Sequence, residues 1–420
     1  MFKFKLHPKI VTLVTVLGAN VFNNFSSFVI IIVAARLLGI TQFSKLSLAI
    51  AVTTNLASVL DFGTSVALVR LYNVASDHNE RISLIRLMNK WKICLLILTV
   101  CFSFPLGTLI MRYFPILEGT GLLINLAIIS GGMLSVWITT RAIEQSQKKF
   151  HVFQRYNIIY GLLRLITAVV FFLFNQISTT SVIISLYILP LFVLISFKQI
   201  KEIQSYKYQN LILKINELNL LKSIFSYGIW VGISGILFTF IYQIPQFVLA
   251  KTADARELAL YGAGLTFMPV FLLTNDAIRT IILPDVSAIK DSEGRQLFRK
   301  HLWQISPVFF GLMIAVLITT SCIQYLLLGE VYKASIPVFL AMGFSTLVAM
   351  YLGYSNTLIH SIGIPHVGAI VNTISAIILT LLSLKLQKSA FLMSLLLGSI
   401  LIIGEASTNF IVETLDKKKV

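Results

Sequence analysis

Charge is what this 420-residue chain has least of: 12% of its residues are Asp, Glu, Lys or Arg, about half the roughly 25% of an ordinary soluble domain. Acid is scarcer still, at 17 Asp and Glu against 34 Lys and Arg. There are three cysteines, Cys94, Cys101 and Cys322, and their spacing fits neither a disulfide framework nor a metal site. A phosphate-cradling Gly loop and a His-Glu-x-x-His motif are both missing. These absences exclude ATP hydrolysis by this chain and give no reason to expect a resident cofactor or metal. Energy would have to come from a substrate gradient, from a coupling proton or sodium ion, or from downstream removal of product.

What is abundant is hydrocarbon. The hydrophobic content is 57% and the mean hydropathy is +0.87, more apolar surface than a soluble fold can bury. The chain reads as an all-α polytopic membrane protein. The formal net charge of +17 does not imply nucleic-acid binding, because the basic residues fall in short segments between apolar runs. The N-terminal stretch, with Lys3, Lys5 and Lys9 before residues 10–34, is too long for a signal-peptide core and is taken as a retained first span.

Apolar windows of about 20 residues predict twelve spans, near 10–34, 46–69, 93–111, 121–140, 157–174, 181–197, 223–249, 260–283, 303–321, 335–358, 366–384 and 390–411. With both termini cytoplasmic, the cytoplasmic segments (70–92 and 141–155 among them) hold 24 Lys and Arg and the opposite side holds 8. The positive-inside bias then sets the orientation. The basic segment 198–222 separates an N-terminal six-helix lobe, 1–197, from a C-terminal one, 223–420. The lobes read as a parallel repeat with a pseudo-two-fold axis along the membrane normal. A shift of 215 residues sets Arg36 on Lys251 and Asp61 on Asp276. Two such lobes are expected to enclose a central cavity.

Charged groups inside spans cost roughly 2.5–3.5 kcal/mol at the bilayer centre, so each needs a reason. Asp61, Arg164, Asp276, Arg279 and Glu405 are in this position. Either they line a polar lumen that admits a hydrophilic head group, or they tie helices together as buried pairs; Asp276 and Arg279, three apart, could neutralise each other. Polar stripes at helical spacing favour a lumen. Asn20, Asn23, Asn24 and Ser27 share a face of span one, and Thr54, Ser58, Asp61 and Ser65 do so on span two. Asn157, Tyr160, Arg164 and Thr167 form a third stripe, and Thr239, Tyr242, Gln243 and Gln246 a fourth. His360 and His366 flank the turn Gly363-Ile364-Pro365 and read as interfacial residues.

Several short motifs carry a resemblance. Ala35-Arg36-Leu37-Leu38-Gly39, then Phe43, Leu48-Ala49 and Asp61-Phe62-Gly63 with Arg70, resembles the opening of bacterial O-antigen-type polysaccharide exporters of the multidrug/oligosaccharidyl-lipid/polysaccharide exporter superfamily. Tyr261, Pro284 and Gly329-Glu330-Val331-Tyr332-Lys333-Ala334 resemble that family's second half, whereas Ser44 stands where the family often has Gly. The resemblance covers nearly the whole chain. It implies a monomeric inner-membrane flippase of lipopolysaccharide or related polysaccharide biosynthesis, working by alternating access on undecaprenyl-diphosphate-linked oligosaccharide among the membrane lipids. A polysaccharide polymerase and a chain-length regulator are candidate partners, and nucleic acid is not. On this reading Arg36, Arg164, Lys251 and Arg279, with Asn20, Asn23 and Asn24, receive the head group, and Asp61 and Asp276 are coupling or structural acids. The rival within the superfamily is a multidrug/cation antiporter. A lipid II flippase would have two further spans, and a polymerase or ligase would have a large external loop.

Overall fold

The computed structural model describes residues 8–418, apart from 76, 206–214, 253, 276–277, 279–285, 287–288, 290–291, 360–365 and 387–388. Among the described residues there is no strand. In the first half the helices are α1 Pro8–Asp61, α2 Thr64–Val74, α3 His78–Tyr113, α4 Gly121–Ser146, α5 Phe150–Leu173, α6 Thr179–Ile183 and α7 Leu189–Ser205. They are followed by α8 Ile215–Ile241, α9 Ile244–Thr252, α10 Ala255–Phe267, α11 Ser292–Leu328, α12 Ser335–Asn356, α13 His366–Lys385 and α14 Ala390–Lys418.

Ten described helices are long and apolar enough to cross a membrane, and the pair Gly232–Ile241 and Ile244–Lys251, bent by 50°, passes the same test when taken together. One of the ten, Gly18–Val74, has 57 residues, about 85 Å at 1.5 Å per residue, against a hydrocarbon core of about 30 Å. It is broken at Gly39, whose φ of 71° and ψ of 173° leave the helical region and suit glycine alone. Divided there, it supplies both of the first two expected spans. The outer surfaces match a lipid solvent: Phe102 and Phe104 on α3 and Phe172 and Leu173 on α5 are among many exposed apolar side chains.

The helices form two compact units. Residues 1–38 and 45–236 make the first, and residues 39–44 and 237–420 make the second. Most of α8 therefore belongs to the first unit, although the apolar pattern assigns it to the C-terminal lobe.

The first unit contains a second break, just after α1. Phe62 and Gly63 both have positive φ, at 44° and 70°, so the chain turns before α2 begins. Here α8 comes within backbone contact. A Cβ on Gly63 would stand 2.5 Å from the Gly228 carbonyl oxygen and 2.6 Å from the Gly232 nitrogen. Gly228 and Gly232 form a small-xxx-small face, which lets α8 approach this closely. Gly63→Ala should therefore lower stability by at least about 2 kcal/mol through backbone strain and overpacking. Gly235→Ala is the control, because a Cβ there would meet nothing within 4 Å. Equal melting temperatures for the two purified variants would refute the requirement for close approach.

Candidate functional site

Two buried polar clusters in the first unit organise most of the intramembrane charge found there. The first lies at the C-terminal end of α1, where helical carbonyls run out of intrahelical donors. Lys92 of α3 reaches in from the side. Its Nζ donates to the Leu60 carbonyl at 2.8 Å, to Asp61 Oδ1 at 3.2 Å and to Ser135 Oγ of α4 at 3.2 Å. All three ammonium protons thus find acceptors, and the cation also opposes the negative end of the helix dipole. Asp61 accepts a further bond from Ser65 Oγ, which in turn lies 3.1 Å from Thr139 Oγ1. Thr64 Oγ1 donates to the Asp61 carbonyl. The Lys92 side chain is 1% exposed and that of Asp61 13%, so this is a buried ion pair set into a helix break.

Lys92 escapes the apolar-window reading, which ends a cytoplasmic segment at residue 92. The helix runs from His78 to Tyr113 and carries Lys92 well inside the bundle. Thr54 and Ser58, from the same predicted stripe, donate to the carbonyls of Ile50 and Thr54 on their own helix.

The second cluster centres on Arg164. Its Nε donates to the Leu186 carbonyl at 2.7 Å. Its Nη1 donates to the Asn23 carbonyl at 3.3 Å, to Asn23 Oδ1 at 3.2 Å and to Ser27 Oγ. Its Nη2 donates to the Tyr160 hydroxyl, and the guanidinium carbon stands 3.7 Å from the Tyr160 ring centroid. Arg164 is 6% exposed, and every one of these partners is neutral. The predicted stripes of spans one and five therefore meet each other. Asn157 Nδ2 also donates to Asn20 Oδ1 at 2.9 Å.

The local sequence explains why Leu186 accepts. Residues Ile184–Ile188 form a π-helical turn between α6 and α7, and Pro190 follows four residues after Leu186. Proline has no N–H, so the Leu186 carbonyl lacks its ordinary helical donor and the helix bulges to accommodate the ring. Arg164 Nε and the Tyr160 hydroxyl, the latter at 3.2 Å, take that place.

Around Tyr160 lie groups that the sequence reading does not single out. Trp137 of α4 packs on it with ring centroids 5.4 Å apart. Arg141, one turn further along α4, has Tyr160 and Arg164 as its electrostatic neighbours. Trp137 Nε1, Arg141 Nε and Asn157 Oδ1 are buried without hydrogen-bond partners.

The other predicted residues are placed differently. Asn24 is exposed and donates to the Asn20 carbonyl at 2.9 Å. Arg36 and Lys251 are exposed, Lys251 in the last turn of α9. Asp276, Arg279, Pro284 and His360 lie outside the described residues. In the second unit, Tyr261 donates to the Tyr242 carbonyl at 2.9 Å, capping a carbonyl released where α8 and α9 meet at a bend of 50°. Gln246 is buried there, and the Tyr242 hydroxyl lies 3.4 Å from Thr346 Oγ1. Glu405 of α14 accepts from Asn356 of α12. An apolar cleft of about 310 Å³ beside the bend is lined by Leu237, Phe240, Ile244 and Ile377 with Thr373 and Thr380. Both threonine hydroxyls donate to their own helix at 2.8 Å, to the Ala369 and Ala376 carbonyls, so the cleft offers a hydrocarbon surface.

Comparison with known proteins places this geometry in context. A family model described as polysaccharide biosynthesis protein matches residues 12–274. Among curated proteins, none matches the sequence. A solved structure of a multidrug resistance MATE family transporter of the MOP superfamily, in an inward-facing conformation, superposes with a TM-score of 0.70 at 12% identity, covering 98% of this chain and 99% of that one. The lipid II flippase MurJ, in an inward closed conformation, gives a TM-score of 0.70 at 19% identity, with 96% and 87% coverage. A MOP superfamily transporter from Pyrococcus furiosus, described as having a binding pocket of reversed polarity that suggests a different function, gives 0.63 at 12% identity, with 97% and 94% coverage. These similarities show the fold.

The buried ion pair makes a quantitative expectation. Lys92→Met alone leaves Asp61 charged and unpaired inside the unit and should cost about 3–5 kcal/mol, whereas Lys92→Met with Asp61→Asn should cost much less. Thermal unfolding of the purified single and double variants checks this; a double variant no more stable than Lys92→Met would show that the pair is not the coupled unit described.

Proposed function

The chain belongs to the polysaccharide biosynthesis protein family, and from that premise we propose that it is a flippase carrying undecaprenyl-diphosphate-linked oligosaccharide, such as an O-antigen repeat unit, from the cytoplasmic to the periplasmic leaflet of a bacterial inner membrane. The polar head group crosses through the protein by alternating access while the lipid tail stays in hydrocarbon. The many-helix membrane fold, similar to that of MOP superfamily transporters, supports a transporter, and the family supports a polysaccharide precursor as cargo.

The observation that carries the substrate assignment is the sign of the buried charge around Arg164. This guanidinium sits inside the first unit among neutral partners with a second one, Arg141, beside it. Two guanidinium groups to which no carboxylate is bonded among the described residues attract a diphosphate or an acidic sugar, because a buried charge needs a counter-charge. A cation antiporter would need the opposite, an acid to receive its cargo, and the acid that the polar stripes offer for that role is Asp61. Asp61 is already engaged by Lys92, and we assign it to holding the helix break. Arg36, Lys251 and Arg279 are further candidates for head-group contact, and a coupling proton or sodium ion would fall to Asp276. Multidrug antiport is the second reading, favoured by the similarity in fold to MATE transporters.

Deletion of the gene in its host separates the two. The flippase reading expects loss of surface polysaccharide and accumulation of polyprenyl-linked repeat units on the cytoplasmic side, both reversed by the intact gene. Normal surface polysaccharide combined with altered sensitivity to cationic drugs would sink it in favour of antiport.

A further inference from the structure

We infer that Arg141, a residue outside every polar stripe of the sequence, is the group of the first unit that takes up an anionic oxygen of the head group, whereas Arg164 is scaffold. The assignment of that anion to a transported head group rests on the flippase reading; the anion site itself does not.

The argument begins with the donors. Each of the three Arg164 nitrogens already donates to protein, to Leu186, to Asn23 and Ser27, and to Tyr160. Those bonds join α1, α5 and the π-helical turn, so a ligand could claim one only by breaking the packing of the unit. Arg164 is also almost wholly buried.

Arg141 differs on both counts. Its side chain is half-buried, so part of it is reachable, yet its Nε–H is buried without a partner. A buried donor left unpaired is destabilising, and more so when the group is charged. Among the described residues no carboxylate pairs with it. The buried acid Glu144 lies three residues further along α4, and Arg164 is among the electrostatic neighbours of Arg141. Arg141 and Arg164 thus both have the phenol of Tyr160 as a neighbour, and an incoming anion would relieve their repulsion.

Two neighbouring atoms narrow the ligand's chemistry. Trp137 Nε1, one turn before Arg141, is a second buried donor without a partner, and Asn157 Oδ1, one turn before Tyr160, is a buried acceptor without one. Trp137 and Tyr160 are in ring contact, which brings the two helix faces together. Two donors and one acceptor suit an oxyanion that carries or adjoins a hydroxyl. A sugar diphosphate has this pattern, and so does an acidic sugar whose carboxylate neighbours a hydroxyl.

The test uses the purified full chain in lipid nanodiscs, with two probes: a polyprenyl diphosphate and inorganic diphosphate. Wild type should bind the polyprenyl diphosphate, and inorganic diphosphate should raise its melting temperature. Arg141→Gln should melt like wild type without ligand, bind the lipid probe roughly tenfold more weakly, and lose the thermal shift, since a charge-assisted contact is removed. Arg141→Lys should recover part of the binding. Arg164→Gln should instead lower the melting temperature before any ligand is added. Unchanged binding by Arg141→Gln would overturn the inference, as would an unliganded Arg141→Gln that melts as low as Arg164→Gln. An Arg141-dependent shift with inorganic diphosphate, but no binding of the lipid probe by wild type, would keep the anion site and remove its assignment to a transported head group.

Discussion

A guanidinium placed within a bilayer-spanning unit has no water to bond, so the protein must bring acceptors to it. Arg164 meets that demand with two backbone carbonyls, an amide oxygen and two hydroxyls drawn from α1, α5 and the π-helical turn. The packing of these elements follows from this one requirement. The free Leu186 carbonyl exists because Pro190 cannot donate to it, and a helix irregularity that would be costly in isolation becomes the point where α5 is fastened to the bulged helix. The Asn and Ser of α1 complete the coordination. They are the price of keeping a permanent cation in a medium that would otherwise reject it.

The Asp61–Lys92 pair solves a related problem at the other cluster. A helix that stops inside the bundle leaves carbonyls unsatisfied. Lys92 answers the Leu60 carbonyl directly and is itself neutralised by Asp61. The break at Phe62 and Gly63 can then turn tightly enough to admit the glycine face of α8. Charge, capping and close backbone approach are one arrangement, and altering any of them bears on the other two. Such an arrangement specifies a single geometry more than it adds stability, because the desolvation of both ions offsets much of their attraction.

The polar stripes on spans one and five were legible as stripes because helical periodicity places i, i+3, i+4 and i+7 on one face. Periodicity does not say what faces them. Asn20 and Asn23 bond Asn157 and Arg164, and Asn24, one residue along, points elsewhere and is exposed. Lys92 and Arg141 escaped for a common reason. Hydropathy windows end where charge begins, so both residues were assigned to the water-facing segments 70–92 and 141–155. The helices continue through them, from His78 to Tyr113 and from Gly121 to Ser146. A buried cation at a window edge looks like a topological signal until its partner is seen.

Composition by itself determined that this chain lives in a membrane, is helical and spans it many times, because hydrocarbon in such excess has only one solvent that accepts it. The family resemblance was likewise readable in short motifs such as Asp61-Phe62-Gly63 and the Tyr261 region. Only the tertiary structure decided that Lys92 belongs to Asp61, that Pro190 frees a carbonyl for Arg164, and that Arg141 stands beside Tyr160 with a donor to spare. The physical reason is that a polar group's role in low dielectric depends on which acceptor lies within about 3 Å of it. Residues separated by 22 to 141 positions in the chain acquire that proximity only when the helices pack.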